Sequence, residues 1–512
     1  MTPRPQENQL DGTYFSDLLK ITKGAGINFG GTLSGKALLF FYTIFIAKVL
    51  GAKALGVYFL GITIIGLLTI LCSLGLDTGV VRFVAIYSGR NDLSRMKGTV
   101  LLSSAISILS SVFVACIIFL FSDVISIYIF HKPELGNVIK LLSLSIPFIS
   151  LKKVFLASTQ GLKFMQYTAY TENVFDISLR FLFTLLFLYG LKLRLRGVVL
   201  AYVASCMFSA GLAFYYAKKL VPLLDKKIAA VFEIRNLLRF AIPMVSSRLI
   251  FNLMRNVDVL MLGLFVSAPG VGIYSVIVRI TTLALAISGA FLPIFNPFIA
   301  DLHYKKEFEK LSDLLKTITR WIIMINFPIF LCLIFFPMFF LNIFGKEFIE
   351  GSTCLSILAI ALLFDSTAAL PNCIIFMSGR SDIMLKNSIT ILITNIILNY
   401  LLIPRYGISG AALATSISLV LLAIIRIIEV YYLVKIQPFR IDIWKPLTSG
   451  LISLIVILVL HRNFLIKGNA MMIALFSIFF LLYFSLLYFF KLSKEDFYIK
   501  RALNNKLTSL IK

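Results

Sequence analysis

Leu50-Gly51-Ala52-Lys53-Ala54-Leu55-Gly56-Val57-Tyr58 separates two long apolar runs near the start of this 512-residue chain. The pattern returns 216 residues later as Val266-Ser267-Ala268-Pro269-Gly270-Val271-Gly272-Ile273-Tyr274, again between two apolar runs. A second echo joins Gly197-Val198-Val199-Leu200-Ala201 to Gly410-Ala411-Ala412-Leu413-Ala414, 213 residues apart. A small-residue turn between helices is common, so neither match decides anything alone. Two matches at nearly one offset, each at the corresponding helix junction, read as a duplicated unit.

Working outward from these turns, apolar runs of about 20 residues recur along most of the chain, each enough to cross roughly 30 Å of hydrocarbon as a helix. Hydrophobic residues make up 59% of the chain and charged ones 14%, with a mean hydropathy of +0.95. That composition excludes a soluble globular domain. The runs place spans at 26–48, 56–76, 98–121, 138–157, 166–190 and 197–217, then at 238–266, 271–299, 318–344, 353–377, 384–404 and 408–434. Two more, 446–461 and 469–490, close the chain. The expected fold is an all-α integral membrane protein of about 14 transmembrane helices, in two six-helix lobes plus a C-terminal helix pair. Six is even, so both repeats enter from one side and are parallel, related by an axis along the membrane normal. The first lobe covers residues 1–217, a basic linker 218–237, the second lobe 238–434, and the helix pair with its basic tail 435–512.

The net charge of +25 raises nucleic acid as a partner, but its distribution argues against it. With the N-terminus in the cytoplasm, most Lys and Arg fall on cytoplasmic segments, notably Lys218, Lys219, Lys226, Lys227, Arg235, Arg239 and the tail after Lys491. This is the positive-inside pattern, and it puts both termini in the cytoplasm. The outer loop Lys192-Leu193-Arg194-Leu195-Arg196 runs against that rule and is read as facing a cargo pathway. Residues 1–24 are polar, so the first span is expected to serve as the targeting signal, with Leu18–Lys23 a short interfacial helix. All six cysteines lie in apolar spans without C-x-x-C spacing, and the histidines sit in loops or at span ends. No nucleophile–base pairing, phosphate loop or metal cluster is apparent, so neither an enzyme nor a metal or other cofactor is expected.

Among the basic residues inside predicted spans, Lys36, Arg180, Arg248, Arg255, Arg279 and Arg426 stand out. A cation in hydrocarbon costs several kcal/mol unless it faces a partner, a polar cavity or the interface. Lys36 and Arg279 lie near mid-depth, while Arg248 and Arg255 are two turns apart on one helix face. Together these four predict a cationic cavity suited to an anionic cargo. Tyr42, Asn252, Asn256 and Tyr274 are candidates for polar contacts beside it. Local pairing is the plainer reading for Asp176 with Arg180 and for Arg255 with Asp258, while Arg426 with Glu429, near the cytoplasmic end of its span, is read as interfacial. Asp77 and Arg82 follow the second span and are read as a cytoplasmic gate; Asp258 and Asp365 are the acids available for coupling to H+ or Na+. Gly31-x-x-x-Gly35 predicts close helix packing, and Pro293, Pro297 and Pro371 predict kinks.

The Gly-Ala-x-x-x-Gly-x-Tyr turn is followed by the second span and then by Ser73-Leu74-Gly75-Leu76-Asp77-Thr78-Gly79-Val80-Val81-Arg82-Phe83. This arrangement resembles the start of the bacterial and archaeal polysaccharide (O-antigen-type) flippases of the multidrug/oligosaccharidyl-lipid/polysaccharide exporter superfamily. Asp258-Val259-Leu260-Met261-Leu262-Gly263, leading to Gly272-Ile273-Tyr274, resembles the same family. In span count and lobe layout the resemblance covers the whole chain; its specific motifs cover a small part of it. It implies alternating access by two lobes in the plasma (inner) membrane of a prokaryote, moving a polyprenyl-pyrophosphate-linked saccharide between leaflets for cell-surface polysaccharide biosynthesis. Guanidinium forks suit the pyrophosphate, and membrane lipids, a polysaccharide polymerase and glycosyltransferases are the implied neighbours. Two alternatives share the fold: a lipid II flippase, whose cargo also carries pyrophosphate, and an ion-coupled drug exporter, whose chemistry wants carboxylates in the cavity. A membrane glycosyltransferase is a third, disfavoured because every outer loop is short.

Overall fold

A computed structural model describes residues 5–463 and 468–490; the basic tail after Lys491 lies outside them. Helices dominate: α1 Pro5–Ser73, α2 Leu76–Gly89, α3 Leu93–Val124, α4 Pro133–Ser143, α5 Ile146–Gly161, α6 Gln166–Gly190, α7 Arg194–Leu220 and α8 Ile234–Phe265. There follow α9 Ala268–Ala284, α10 Ala286–Tyr304, α11 Phe308–Phe335, α12 Ser352–Thr367, α13 Ala369–Met377, α14 Ser381–Val434, α15 Trp444–Asn463 and α16 Asn469–Phe489. Among the described residues, ten helical segments are long and apolar enough to cross a membrane. Large apolar side chains such as Leu120, Phe113, Leu481 and Phe489 are exposed along them, as expected where lipid replaces water as the solvent.

Each predicted span falls on helix, but the punctuation differs. The first two spans form one helical run whose axis breaks at Gly51 (φ 76°, ψ 173°), a conformation glycine adopts without a Cβ penalty. Gly407 (φ 56°, ψ −131°) breaks α14 in the same way between the eleventh and twelfth spans. The residues expected as a separate interfacial helix, Leu18–Lys23, continue α1. Four spans are interrupted: the fourth between α4 and α5, the eighth at Leu285, the ninth at Phe336 and the tenth at Ala368. Ala368 stands three residues before Pro371, whose missing N–H releases the preceding turn. In the eighth span the break lies at Leu285, well upstream of Pro293 and Pro297, which both fall within α10.

The chain clusters into two compact units. The first contains Met1–Arg279 and Leu392–Ala411. Here Gly31 and Gly35 let α1 approach α6 closely; a Cβ on Gly35 would stand 2.6 Å from that of Asn173. The repeated turn sequences meet each other reciprocally. A Cβ on Gly56 would collide with the Ala268 carbonyl, and one on Gly272 would collide with the Ala52 carbonyl. Ala52 matches Ala268, and Gly56 matches Gly272, at the 216-residue offset. Each copy of the motif therefore fills the gap left by the other. The linker is tied down as well: Lys97 Nζ donates to the carbonyls of Asp225 (2.6 Å) and Ile228 (2.9 Å), and Val231 N–H donates to Ser94 O (3.1 Å).

The second unit contains Ile280–Ile391 and Ala412–Lys512. One apolar cluster joins Ile299, Leu315, Ile322, Ile374 and Val430 from α10, α11, α13 and α14. Another joins Phe327, Leu331, Leu454 and Phe479, seating α15 and α16 on α11. The Tyr483 hydroxyl completes that seat by donating to Met324 O at 2.8 Å.

Candidate functional site

The Ser73–Phe83 stretch packs along the first turns of α8. Gly75 takes a left-handed conformation (φ 68°) at the N-cap of α2, and its missing Cβ admits the Ala241 carbonyl. Gly79 sits against Leu237, and Leu76, Leu237 and Ala241 are fully enclosed. The Arg82 guanidinium lies 4.3 Å from the centre of the Phe240 ring, a cation–π contact. Asp77, largely buried, pairs with Arg248. The seam continues at its edge, where Tyr87 OH and Asn236 Nδ2 both donate to Glu233 Oε2 at 2.8 Å and Arg95 Nε lies 3.0 Å from Glu233 Oε1. The hydrogen bonds from Asn236 and then Tyr87 hold the Glu233 carboxyl below its usual range. Burial, with the Glu233 contact, pushes Tyr87 up to about 12.

Two cavities flank the Asp77–Arg248 pair. The first, about 380 Å³, is bounded by Asp77, Thr78, Lys153, Gln160, Glu172 and Arg248, so its charges balance. The second, about 420 Å³, is lined by Ser73, Lys153, Ser247, Arg248, Asn252 and Arg255 with Ile70 and Phe251, and no carboxylate is among these residues. Three cations converge on it. Arg248 and Arg255 therefore meet as predicted from their seven-residue spacing, and Asn252 joins them, receiving a hydrogen bond from Asn256 (Nδ2 to Oδ1, 3.0 Å). Lys36 and Arg279 are not among the described lining residues; Arg279 lies instead over the Phe59 ring at 5.2 Å.

Elsewhere the predicted residues find other partners. Asp176 does pair with Arg180 (2.8 Å), but it also faces Lys152 at 3.6 Å and accepts from Ser209 at 3.0 Å, Arg180 partly buried and the other three buried. Among the described residues no ion pair joins Arg255 to Asp258; Asp258 accepts from Tyr274 OH (2.7 Å) and Asn399 Nδ2 (2.8 Å). Arg426 pairs with Asp365 at 3.5 Å, whereas Glu429 accepts from Asn387. Tyr42 and Tyr274 are 2% and 1% exposed and engaged with Thr184 and Asp258, so neither is a cavity contact. Arg194 and Arg196 of the basic loop line a separate cavity with Glu134 and Asn137. No group of three or more metal-ligating side chains occurs among the described residues.

Lys152 and Lys153 went unread in the sequence. Both fall inside the predicted span 138–157, and α5, which continues to Gly161, carries both into the bundle. About 100° separates neighbours on a helix. One lysine thus meets Asp176 while the other faces the two cavities.

A family model described as polysaccharide biosynthesis protein matches residues 21–303, more than half of the chain, and a MatE model matches residues 243–401. The chain is 26% identical over 321 residues to the capsular polysaccharide biosynthesis protein CapF of Staphylococcus aureus, covering 61% of this chain and 77% of that one. It is 24% identical over 368 residues to a Shigella flexneri protein named as an O-antigen transporter, covering 69% and 84% respectively. Among solved structures, the lipid II flippase MurJ in an inward-closed conformation aligns with a TM-score of 0.72 at 17% identity, over 90% of this chain and 97% of that one.

Proposed function

Since the chain belongs to the polysaccharide biosynthesis protein family, a family of multi-pass membrane transporters, we propose that it flips a polyprenyl-pyrophosphate-linked oligosaccharide across the membrane. The cargo moves from the cytoplasmic to the outer leaflet of a prokaryotic plasma membrane, feeding cell-surface polysaccharide synthesis. The observation that carries this reading is the cavity where Lys153, Arg248 and Arg255 converge with no lining carboxylate. Such a site attracts a pyrophosphate, and guanidinium forks bind its oxygens in pairs. It repels the cationic compounds that a drug exporter moves.

In this reading the helices broken at Gly51 and Gly407 each cross twice, and the interrupted helices 133–161 and 268–304 each cross once, giving fourteen crossings with both termini cytoplasmic. The seam between Ser73–Phe83 and α8 is then the cytoplasmic gate, held shut by Asp77–Arg248 and by Arg82 on Phe240. Lipid II differs from this cargo in its sugar and peptide, not in its pyrophosphate, so the same cavity serves that second reading. Asp77, Asp176, Asp258 and Asp365 are the carboxylates at which coupling to H+ or Na+ is to be sought.

The test is translocation of a labelled polyprenyl-pyrophosphate oligosaccharide in proteoliposomes, beside lipid II and a cationic dye. Wild-type protein is expected to move the saccharide lipid, and Arg248→Ala to slow it about tenfold or more, since a charged hydrogen bond contributes about 1.5–3 kcal/mol. Dye movement without lipid movement would overturn the reading; lipid II movement alone would assign the second cargo.

A further inference from the structure

The cations of the cavity are not equally committed. Arg248 is paired with Asp77, and Lys152, one residue before Lys153, is paired with Asp176. Lys153 lines both cavities, yet among the described residues neither a hydrogen bond nor an ion pair reaches its Nζ. Asp77 and Glu172 share the first cavity with it and balance its charge from a distance. An ammonium set into a helix bundle without a direct partner is costly to keep. It retains three N–H donors to offer.

We propose that Lys153 is the standing phosphate ligand of this transporter, gripping the cargo's pyrophosphate while Arg248 is still held by Asp77. The inference rests on the pyrophosphate reading above and adds a residue and an order to it. Lys153 belongs to both cavities, so it meets phosphate oxygens on either side of the Asp77–Arg248 pair, and Arg248 joins only when Asp77 lets it go. The chemistry recognised is a phosphate dianion or diphosphate at the membrane interface. It comes from the cargo and not from bilayer phospholipid, because three converging cations exceed what one phosphodiester charge needs.

The experiment is equilibrium binding of a fluorescent polyprenyl pyrophosphate to the purified full chain in nanodiscs, with inorganic pyrophosphate and phosphatidylglycerol as competitors. Lys153→Ala is expected to weaken binding about tenfold, the loss of one charge-assisted contact. Lys153→Arg is expected to retain most of the affinity, and Arg248→Ala to weaken it as well. If Lys153→Ala fails to fold, by gel filtration and melting temperature, Lys153→Met keeps the side-chain length and carries the comparison. Wild-type affinity in both neutral variants, with Arg248→Ala weakened, would overturn the role of Lys153 and leave the flippase reading standing. Unchanged binding in every variant would remove pyrophosphate from the cavity altogether. Displacement by phosphatidylglycerol as readily as by pyrophosphate would make the site a phospholipid site and overturn the proposal.

Discussion

Gly56 and Gly272 occupy the same position in the two copies of one motif, and each excludes a Cβ because the other copy's backbone is there. Gly56→Ala and Gly272→Ala should therefore destabilise the protein to a similar degree, about 1–3 kcal/mol each, since backbone cannot yield as a side chain would. Gly66 has open space where its Cβ would go, and Gly66→Ala is the neutral control. Melting temperatures in detergent decide it; a Gly56→Ala protein as stable as the control would mean the contact is not tight. At this scale the sequence disclosed the charged residues of the site but not their neighbours. Counting residues along a span does not give the direction a side chain faces, and Tyr42 and Tyr274 turn to Thr184 and Asp258. Lys153 is missed for another reason: it falls inside the predicted span 138–157 beside Lys152, and spacing alone does not separate the paired lysine from the one that faces the cavities.

The linker 218–237 is an element with no helix of its own before Ile234, yet it is anchored at both ends. Lys97 holds it to α3, and Glu233 holds it to α2 through Tyr87. Because hydrogen bonds lower the Glu233 pKa in the fold, its contribution is complete above the ordinary carboxylate value of about 4.3 and is lost as pH falls through the lowered one. Hydrogen exchange at residues 231–237, corrected for intrinsic rates, should stay constant from about pH 8 to pH 5 and rise below about pH 4. Exchange that stays constant down to pH 3 would show that Glu233 does not hold this end. Helix positions were legible throughout, because the length of an apolar run is set by the thickness of hydrocarbon. Helix interruptions were not: proline marks a weak point, yet the break at Leu285 lies upstream of both Pro293 and Pro297.

For the molecule as a whole, hydropathy made a polytopic membrane protein readable, and the spaced echoes of one turn predict a duplication whose two copies of the turn touch at Gly56 and Gly272. What no echo discloses is which surfaces the duplicated parts present to each other. The reciprocal glycine contact answers that, and it has a consequence for how the protein holds together. A pair of surfaces that fit through equivalent residues is what two identical subunits use to associate, so the repeats are expected to hold together without covalent continuity. The exposed Lys226-Lys227 pair lies between Asp225 and Ile228, the two residues whose carbonyls Lys97 grips. Residues 1–225 and 226–512, co-expressed as separate polypeptides, should assemble and co-purify as a single transporter. Halves that fail to find each other would show instead that the tether does the joining.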